Sequence, residues 1–262
     1  MNTQQIRFDD GAAYERGMGG WSVPAGEVFL DWVTPAAGWR WLDVGCGNGV
    51  FSELAMRRCA PVSMNGIDPS PAQISYAQSR PGAKGAVFQS GDAMALPFGD
   101  DGFDITTMAL VIFFVPDPAK GVAEMARVVG PGGIVAAYAW DILGGGFPFR
   151  PVQAAMRSMG MATPFPPSVE AAAIDRLQAL WTGAGLTSVE TRVIEVSRTF
   201  QNFDAFWDVS TNSSALRPVL ASTDTTALQR LREATKAGLA IAGDGSITYR
   251  ARANAVKGIV KS

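Results

Sequence analysis

Two rhythms of apolar and polar positions alternate along the chain. Short, nearly continuous apolar runs are followed by segments whose apolar residues recur every three or four positions. The first run, Trp41-Leu42-Asp43-Val44, ends in three glycines at alternate positions, Gly45, Gly47 and Gly49, and 50–56 then reads at helical spacing. Further strand-like runs fall at 64–68, 86–89, 103–110 and 134–140, and the apolar run 108–115 reads as strand core. Asp117-Pro118 opens a helix with Val122, Met125, Ala126 and Val129 at i, i+3, i+4 and i+7, ended by Pro131-Gly132-Gly133. Upstream, Pro24 introduces a helix over 25–33 that Pro35 stops. Alternating strands and helices predict an α/β fold with a parallel, doubly wound sheet. Right-handed crossovers bring the strand ends to one edge.

The second half carries a weaker pattern. Ser168 is expected to cap a helix to about Trp181, ended by Gly183 and Gly185, and a strand follows over 188–199. Asp204 and Asp224 read as caps of two more helices, and 246–255 as a final strand. Gly144-Gly145-Gly146 read as a hinge, since no lysine-serine/threonine pair follows to make a phosphate loop.

The glycine turn is where chemistry is expected. Glycine permits positive φ and close approach of a ligand to the backbone, and the following helix presents free N–H groups. A dinucleotide fingerprint needs a glycine where this chain has Val50, which argues against a nicotinamide oxidoreductase. Asp68, nineteen residues after Gly49, closes a second strand, where a carboxylate can accept hydrogen bonds from both hydroxyls of a ribose. Ser70-Pro71-Ala72-Gln73 is a capping box with proline at the first helical position. Gly91-Asp92-Ala93 marks the end of a third strand.

Composition narrows the classes. The 262 residues suffice for one large domain or a domain with an inserted cap, and 47% hydrophobic against 18% charged residues favours a large core. Net charge is −2 without a lysine or arginine run, so no footprint for nucleic acid is visible. Two cysteines give no disulfide framework, and the expected compartment is the reducing cytoplasm. Neither a signal-like segment nor a run long enough for a membrane span is read. The chain has no histidine, which removes the commonest general base and metal ligand, and no metal site is expected.

The stretch from Asp43 to Trp140 resembles the class I S-adenosylmethionine-dependent methyltransferases, of the small-molecule type related to ubiquinone/menaquinone-biosynthesis C-methyltransferases. The matching pieces are Leu42-Asp43-Val44-Gly45-Cys46-Gly47-Asn48-Gly49, Gly66-Ile67-Asp68-Pro69-Ser70, Gly91-Asp92-Ala93-Met94-Ala95-Leu96-Pro97-Phe98 and Val128-Val129-Gly130-Pro131-Gly132-Gly133. The resemblance implies a Rossmann-like, doubly wound, seven-stranded sheet, parallel with an antiparallel last strand pair, with helical cap insertions. It implies a single domain over 1–262: a lid or arm at 1–34, a cofactor-binding core at 38–141, and a substrate cap from 142–167 and 200–244. The implied cofactor is S-adenosyl-L-methionine, with S-adenosyl-L-homocysteine as product. Its implied contacts are Tyr14, Asp43, Gly45, Cys46, Gly47, Asp68, Pro69, Gln73, Asp92, Ala93 and Met108.

Under that resemblance the function is methyl transfer by in-line displacement to O, N, S or C of a small apolar or aromatic molecule. The alternative is a non-catalytic S-adenosylmethionine-binding sensor or regulatory protein. The family's nucleic-acid and protein-glutamine methylating members carry an Asn/Asp-Pro-Pro-aromatic turn after the fourth strand; Met108-Ala109-Leu110 leads into no such turn here. If a base is used, Tyr14, Tyr138 and Asp141 are the candidates. Trp140, Phe147, Phe149 and Trp207 are the candidate substrate pocket. Partners are a small molecule, neither nucleic acid nor membrane, and the oligomeric state stays open.

Overall fold

The computed structural model describes residues 15–163, 165–213 and 216–261. Seven strands, β1 (Arg40–Val44), β2 (Ser63–Asp68), β3 (Val87–Ser90), β4 (Phe103–Ala109), β5 (Val129–Trp140), β6 (Thr187–Phe200) and β7 (Ile247–Ile259), form one sheet in the order β3-β2-β1-β4-β5-β7-β6. The first five are parallel, and β7 runs antiparallel to both β5 and β6. This is the doubly wound sheet with an antiparallel final pair that the sequence led us to expect. Helices α1 (Gly20–Val33), α2 (Val50–Cys59) and α3 (Pro71–Gln78) pack along one face, and α4 (Pro118–Arg127) and α6 (Ile174–Gly183) along the other. α5 (Arg150–Ser158), α7 (Phe203–Thr211), α8 (Arg217–Ala221) and α9 (Thr225–Ala237) belong to the segments between the later strands.

Central parallel strands are covered on both sides, so they read as continuous apolar runs. Trp41, Leu42 and Val44 of β1 are all fully buried. Tyr138 of β5 lies between Phe29 of α1, 4.7 Å away by ring centroids, and Phe51 of α2, at 5.9 Å. Truncating such a core aromatic costs about 3–5 kcal/mol.

Several boundaries differ from the sequence pattern. α1 starts at Gly20 and contains Pro24, because a π-turn over 15–19 leads straight into it with Gly19 already helical. β4 stops at Ala109: Leu110 has φ +63°, and 112–114 form a buried 3-10 turn. The apolar run 108–115 thus reflects burial of a helical turn as well as of a strand. α4 ends at Arg127, and β5 already pairs at Val129 before a bulge at 130–133 shifts its register. Ser168 caps no helix; its hydroxyl donates to the Val115 carbonyl at 2.7 Å, and α6 begins only at Ile174 after a 3-10 turn. Asn202 rather than Asp204 caps α7, accepting from the Ala205 N–H at 2.9 Å, which leaves Asp204 to pair with Arg232. Asp117 and Asp224 cap α4 and α9 as expected.

At the carboxyl edge of the parallel strands the last two strands outrun their neighbour. Trp140, the end of β5, pairs with Ala253, while Ile247 to Arg252 continue to pair with Glu195 to Phe200. A two-stranded ribbon therefore projects beyond that edge, and the chain between its tips forms α7, α8 and α9. Trp21 closes the start of α1 onto the ribbon, with Phe200 at 6.1 Å and Tyr249 at 6.2 Å. No described helix is long and apolar enough to cross a membrane.

Candidate cofactor and substrate site

The turn from β1 into α2 is fastened to the neighbouring strand. The N–H groups of Gly45 and Cys46 both donate to the Ile67 carbonyl at 2.8 Å. Asp68, at the tip of β2, accepts the Gly47 N–H at 3.0 Å on one oxygen and the Ser70 N–H at 2.9 Å on the other. One carboxylate thus holds the glycine turn and the entry to α3 together. The Ser70 hydroxyl accepts the Gln73 N–H at 3.4 Å, but Ser70's own N–H goes to Asp68, so only half of the capping box forms.

The glycines differ in what requires them. Gly45 has φ +74°, and a β-carbon there would come within 2.5 Å of Val111. Its first constraint is therefore packing against the loop after β4. Gly47 has φ +52°, and the nearest atom to such a β-carbon is the Gln73 Oε1 at 4.0 Å. Open space is kept at Gly47, in front of Asp68 and Gln73.

Asp43 is fully buried behind the turn and accepts the Ser52 hydroxyl at 2.6 Å. Its other oxygen has no close hydrogen-bond partner among the described residues, although the hydroxyl of Thr107 on the neighbouring strand lies near enough to favour the charged form. Burial, with the Asp68 charge adding to it, pushes this carboxyl up to about 7 against the Ser52 bond. Burial also raises Asp68, opposed by its two backbone N–H bonds. The Cys46 thiol is pushed up by burial and then by the two aspartates, and its side chain packs with Ile74, Ala77, Ala83 and Phe88. It is a packing group, not a nucleophile. Ser52 went unnoticed in the sequence, although a serine one helical turn inside a glycine turn, behind an acidic strand residue, is a readable signal.

The remaining expected residues are distributed as follows. Pro69 and Asp92 are exposed, Ala93 is half-buried, and an Asp92 carboxylate oxygen accepts the Met94 N–H at 2.8 Å. Met108 is 1% exposed with its methyl beside Gly121 of α4, so its side chain serves the core and does not face the turn. Two base candidates have structural surroundings. Tyr138 is enclosed by Phe29 and Phe51, with its hydroxyl against Gly26. Asp141 accepts Arg252 Nε at 3.0 Å and Nη2 at 2.7 Å, and the Gly144 N–H at 3.0 Å, so it braces the glycine-rich turn. Tyr14 lies outside the described residues. Trp140 and Phe149 are buried and Phe147 stacks edge-on to Phe149 at 5.4 Å, while Trp207 pairs with Phe203 and lies under Arg232 of α9.

A doubly wound sheet whose first strand feeds a glycine turn, with a carboxylate at the tip of the second, defines the Rossmann-like class. Residues 42–137 match the family model described as a methyltransferase domain. Over that segment, a little more than a third of the chain, it is similar to the class I S-adenosylmethionine-dependent methyltransferases. It is 36% identical over 130 residues to a demethylmenaquinone methyltransferase of Renibacterium salmoninarum, covering 48% of this chain and 51% of that protein. Over 111 residues it is 34% identical to the ubiquinone/menaquinone biosynthesis C-methyltransferase of Roseobacter denitrificans, covering 41% and 44%. The matched segment thus spans about half the length of these curated relatives. Among solved structures, a phosphoethanolamine N-methyltransferase of Haemonchus contortus in complex with S-adenosyl-L-methionine shares the fold. Its TM-score is 0.60 at 17% identity, over 99% of this chain and 58% of that one.

Proposed function

We propose that this chain transfers a methyl group from S-adenosyl-L-methionine to a small, largely apolar or aromatic molecule. The observation that carries the reading is the open space at Gly47, faced by Asp68 and backed by the unpartnered oxygen of Asp43. Hydroxyl groups of a ribose fit Asp68, whose two bonds to N–H groups leave lone pairs free. A cationic or N–H-bearing group fits the orphaned acceptor of Asp43. Gln73 and the Asp92–Ala93 turn stand at the same edge for the base of the nucleoside. When bound, S-adenosylmethionine supplies an activated methyl group together with its own leaving group.

What remains for the protein is to hold an acceptor in line, and positioning of this kind contributes about 7–11 kcal/mol to lowering a barrier. A chain without histidine, with Tyr138 in the core and Asp141 in an ion pair, suits a reaction that relies on placement. In this reading the segments 142–167 and 200–244 serve as the acceptor's cover, with Trp140, Phe147 and Phe149 as apolar walls. Calorimetric titration with S-adenosylhomocysteine beside NADH tests the cofactor. Micromolar binding of the former alone is expected, followed by product detection with a labelled methyl donor. Binding of NADH instead overturns the reading.

A further inference from the structure

Among the described residues, the buried polar atoms without a hydrogen-bond partner are Asp43 Oδ1, discussed above, and five groups able to donate: Trp21 Nε1, Ser22 Oγ, Trp140 Nε1, Arg198 Nη1 and Ser210 Oγ. Orphans of this kind are uncommon in folded proteins and call for an explanation. Their location is not random. Four tryptophans are 1% exposed or less. Trp41 and Trp181, inside the sheet layers, donate to Thr107 and to the Val135 carbonyl, each at 2.8 Å. Trp21 and Trp140, at the carboxyl edge, donate to nothing among the described residues.

The five donors sit on elements that meet at that edge. Trp140 ends β5. Arg198 lies on the projecting part of β6, directly opposite Tyr249, and its guanidinium occupies the space left by the missing side chain of Gly20. Trp21 and Ser22 follow Gly20 on α1, and Trp21 touches Phe200 and Tyr249. Ser210 is on α7, whose Phe206 packs against the same Phe200 and Tyr249. The neighbouring Val209 carbonyl stands 3.7 Å from a β-carbon position on Gly17.

Arg198 is the decisive member. It stands on the inward parity of β6 with Ile194, Val196 and Phe200, leaning on the Phe200 ring at 4.8 Å. No carboxylate pairs with it among the described residues. Arginine does not shed its charge in proteins, and although the side chain is only partly buried, its Nη1 is shut off from solvent without an acceptor, which is unfavourable. Three groups that can only donate, two hydroxyls that can also donate, a fixed cation and aromatic walls complement a ligand that has oxygen acceptors, an anionic group and an apolar body. The fixed guanidinium disfavours a cationic acceptor.

We propose that Arg198 anchors a carboxylate of the methyl acceptor, supported by the Trp21 and Trp140 N–H groups and the Ser22 and Ser210 hydroxyls, so that the substrate is a small aromatic acid. This rests on the methyltransferase reading of the glycine-turn site. Arg198 is then a specificity-determining residue, acting on the end of the acceptor away from the methylated atom. A fork of N–H donors matches a carboxylate better than a point charge does.

The test is calorimetric titration of the S-adenosylhomocysteine complex with benzoate, 2-hydroxybenzoate, phenylacetate and indole-3-acetate, each beside its neutral amide. At least one acid is expected to bind tenfold or more tightly than its amide. Arg198→Met should abolish that preference, Arg198→Lys should keep part of it, and Trp140→Phe should weaken the acid about three- to tenfold. S-adenosylhomocysteine affinity should stay within twofold throughout, which also shows that the variants are folded. Equal binding of acids and amides, no binding of any acid, or an undiminished preference in Arg198→Met overturns the proposal. Failure of the wild-type protein to bind S-adenosylhomocysteine overturns the cofactor reading beneath it, a separate and recognisable result.

Discussion

Gly45 and Gly47 stand two residues apart in the same left-handed backbone, yet substitution should separate them. Gly45→Ala drives a β-carbon into Val111 and should lower the melting temperature sharply. Gly47→Ala meets open space and should cost less stability while weakening S-adenosylhomocysteine binding more than tenfold; calorimetry beside thermal melting distinguishes the two. Asp68→Ala should lose about 1.5–3 kcal/mol of affinity per charge-assisted bond removed, and should also destabilise the apo protein, because Gly47 and Ser70 lose their acceptor. Asp43 gives a signed pH dependence. Its carboxyl sits at about 7 in the folded protein against an ordinary 3.8, so between these values the native state holds a proton that the unfolded chain has released. The stability of the wild type relative to Asp43→Asn should therefore fall as pH rises from about 4 to 7 and level off above, as followed by urea midpoints. These acidic strand ends were legible because a charged residue closing an apolar run is rare without a reason. Arg198 is legible too in principle, as a charge on the buried parity of a strand, but Val193 faces outward while Ile194 and Val196 face inward or toward the core edge, so the apolar residues of 188–199 do not mark one parity.

Among the elements, the bond between Asp141 and Arg252 ties the glycine-rich turn after β5 to the ribbon. The three glycines form a braced corner: the Arg252 N–H donates to the Gly146 carbonyl at 2.8 Å, and the Gly146 N–H donates to the Asp141 carbonyl at 2.7 Å. Asp141→Ala should destabilise the protein by about 2–3 kcal/mol, the scale of lost charged hydrogen bonds, without shifting the pH profile of methyl transfer. A displaced acidic limb of that profile would instead restore Asp141 as a base. Element types in the first half followed from apolar runs and glycine punctuation. The misread boundaries share one cause: burial makes a 3-10 turn at 112–114 and a strand look alike, and Ser168 and Asp204 carry cap-type side chains that are spent on Val115 and Arg232.

At the level of the whole molecule, the glycine turn and the ribbon stand at one edge of the sheet, and the two proposals assign them different ligands. Hydrogen exchange should show it: S-adenosylhomocysteine alone should protect 45–50 and 68–73, and an aromatic acid added to that complex should further protect 17–24 and 198–211. The parallel half of this architecture was legible because its connections are short and regular. In the long return from β6 to β7 two helices and the final strand were legible but not their packing, since α9 rests on α5 and α7 on the 15–19 turn and the ribbon, with no strand-end motif to mark it.

The placement of β7 has a consequence for how the protein comes into being. It is seventh along the chain but sits inside the sheet, between β5 and β6. About a hundred residues separate the end of β5 from the start of β7. At roughly 5–20 residues per second of synthesis, the apolar edge of Ile134 to Trp140 waits several seconds on the ribosome without its partner. Such an edge is a template for pairing with other chains. A nascent chain halted before Ile247 should therefore be held by chaperones or aggregate, whereas one that includes Ile259 should become resistant to protease in a single step.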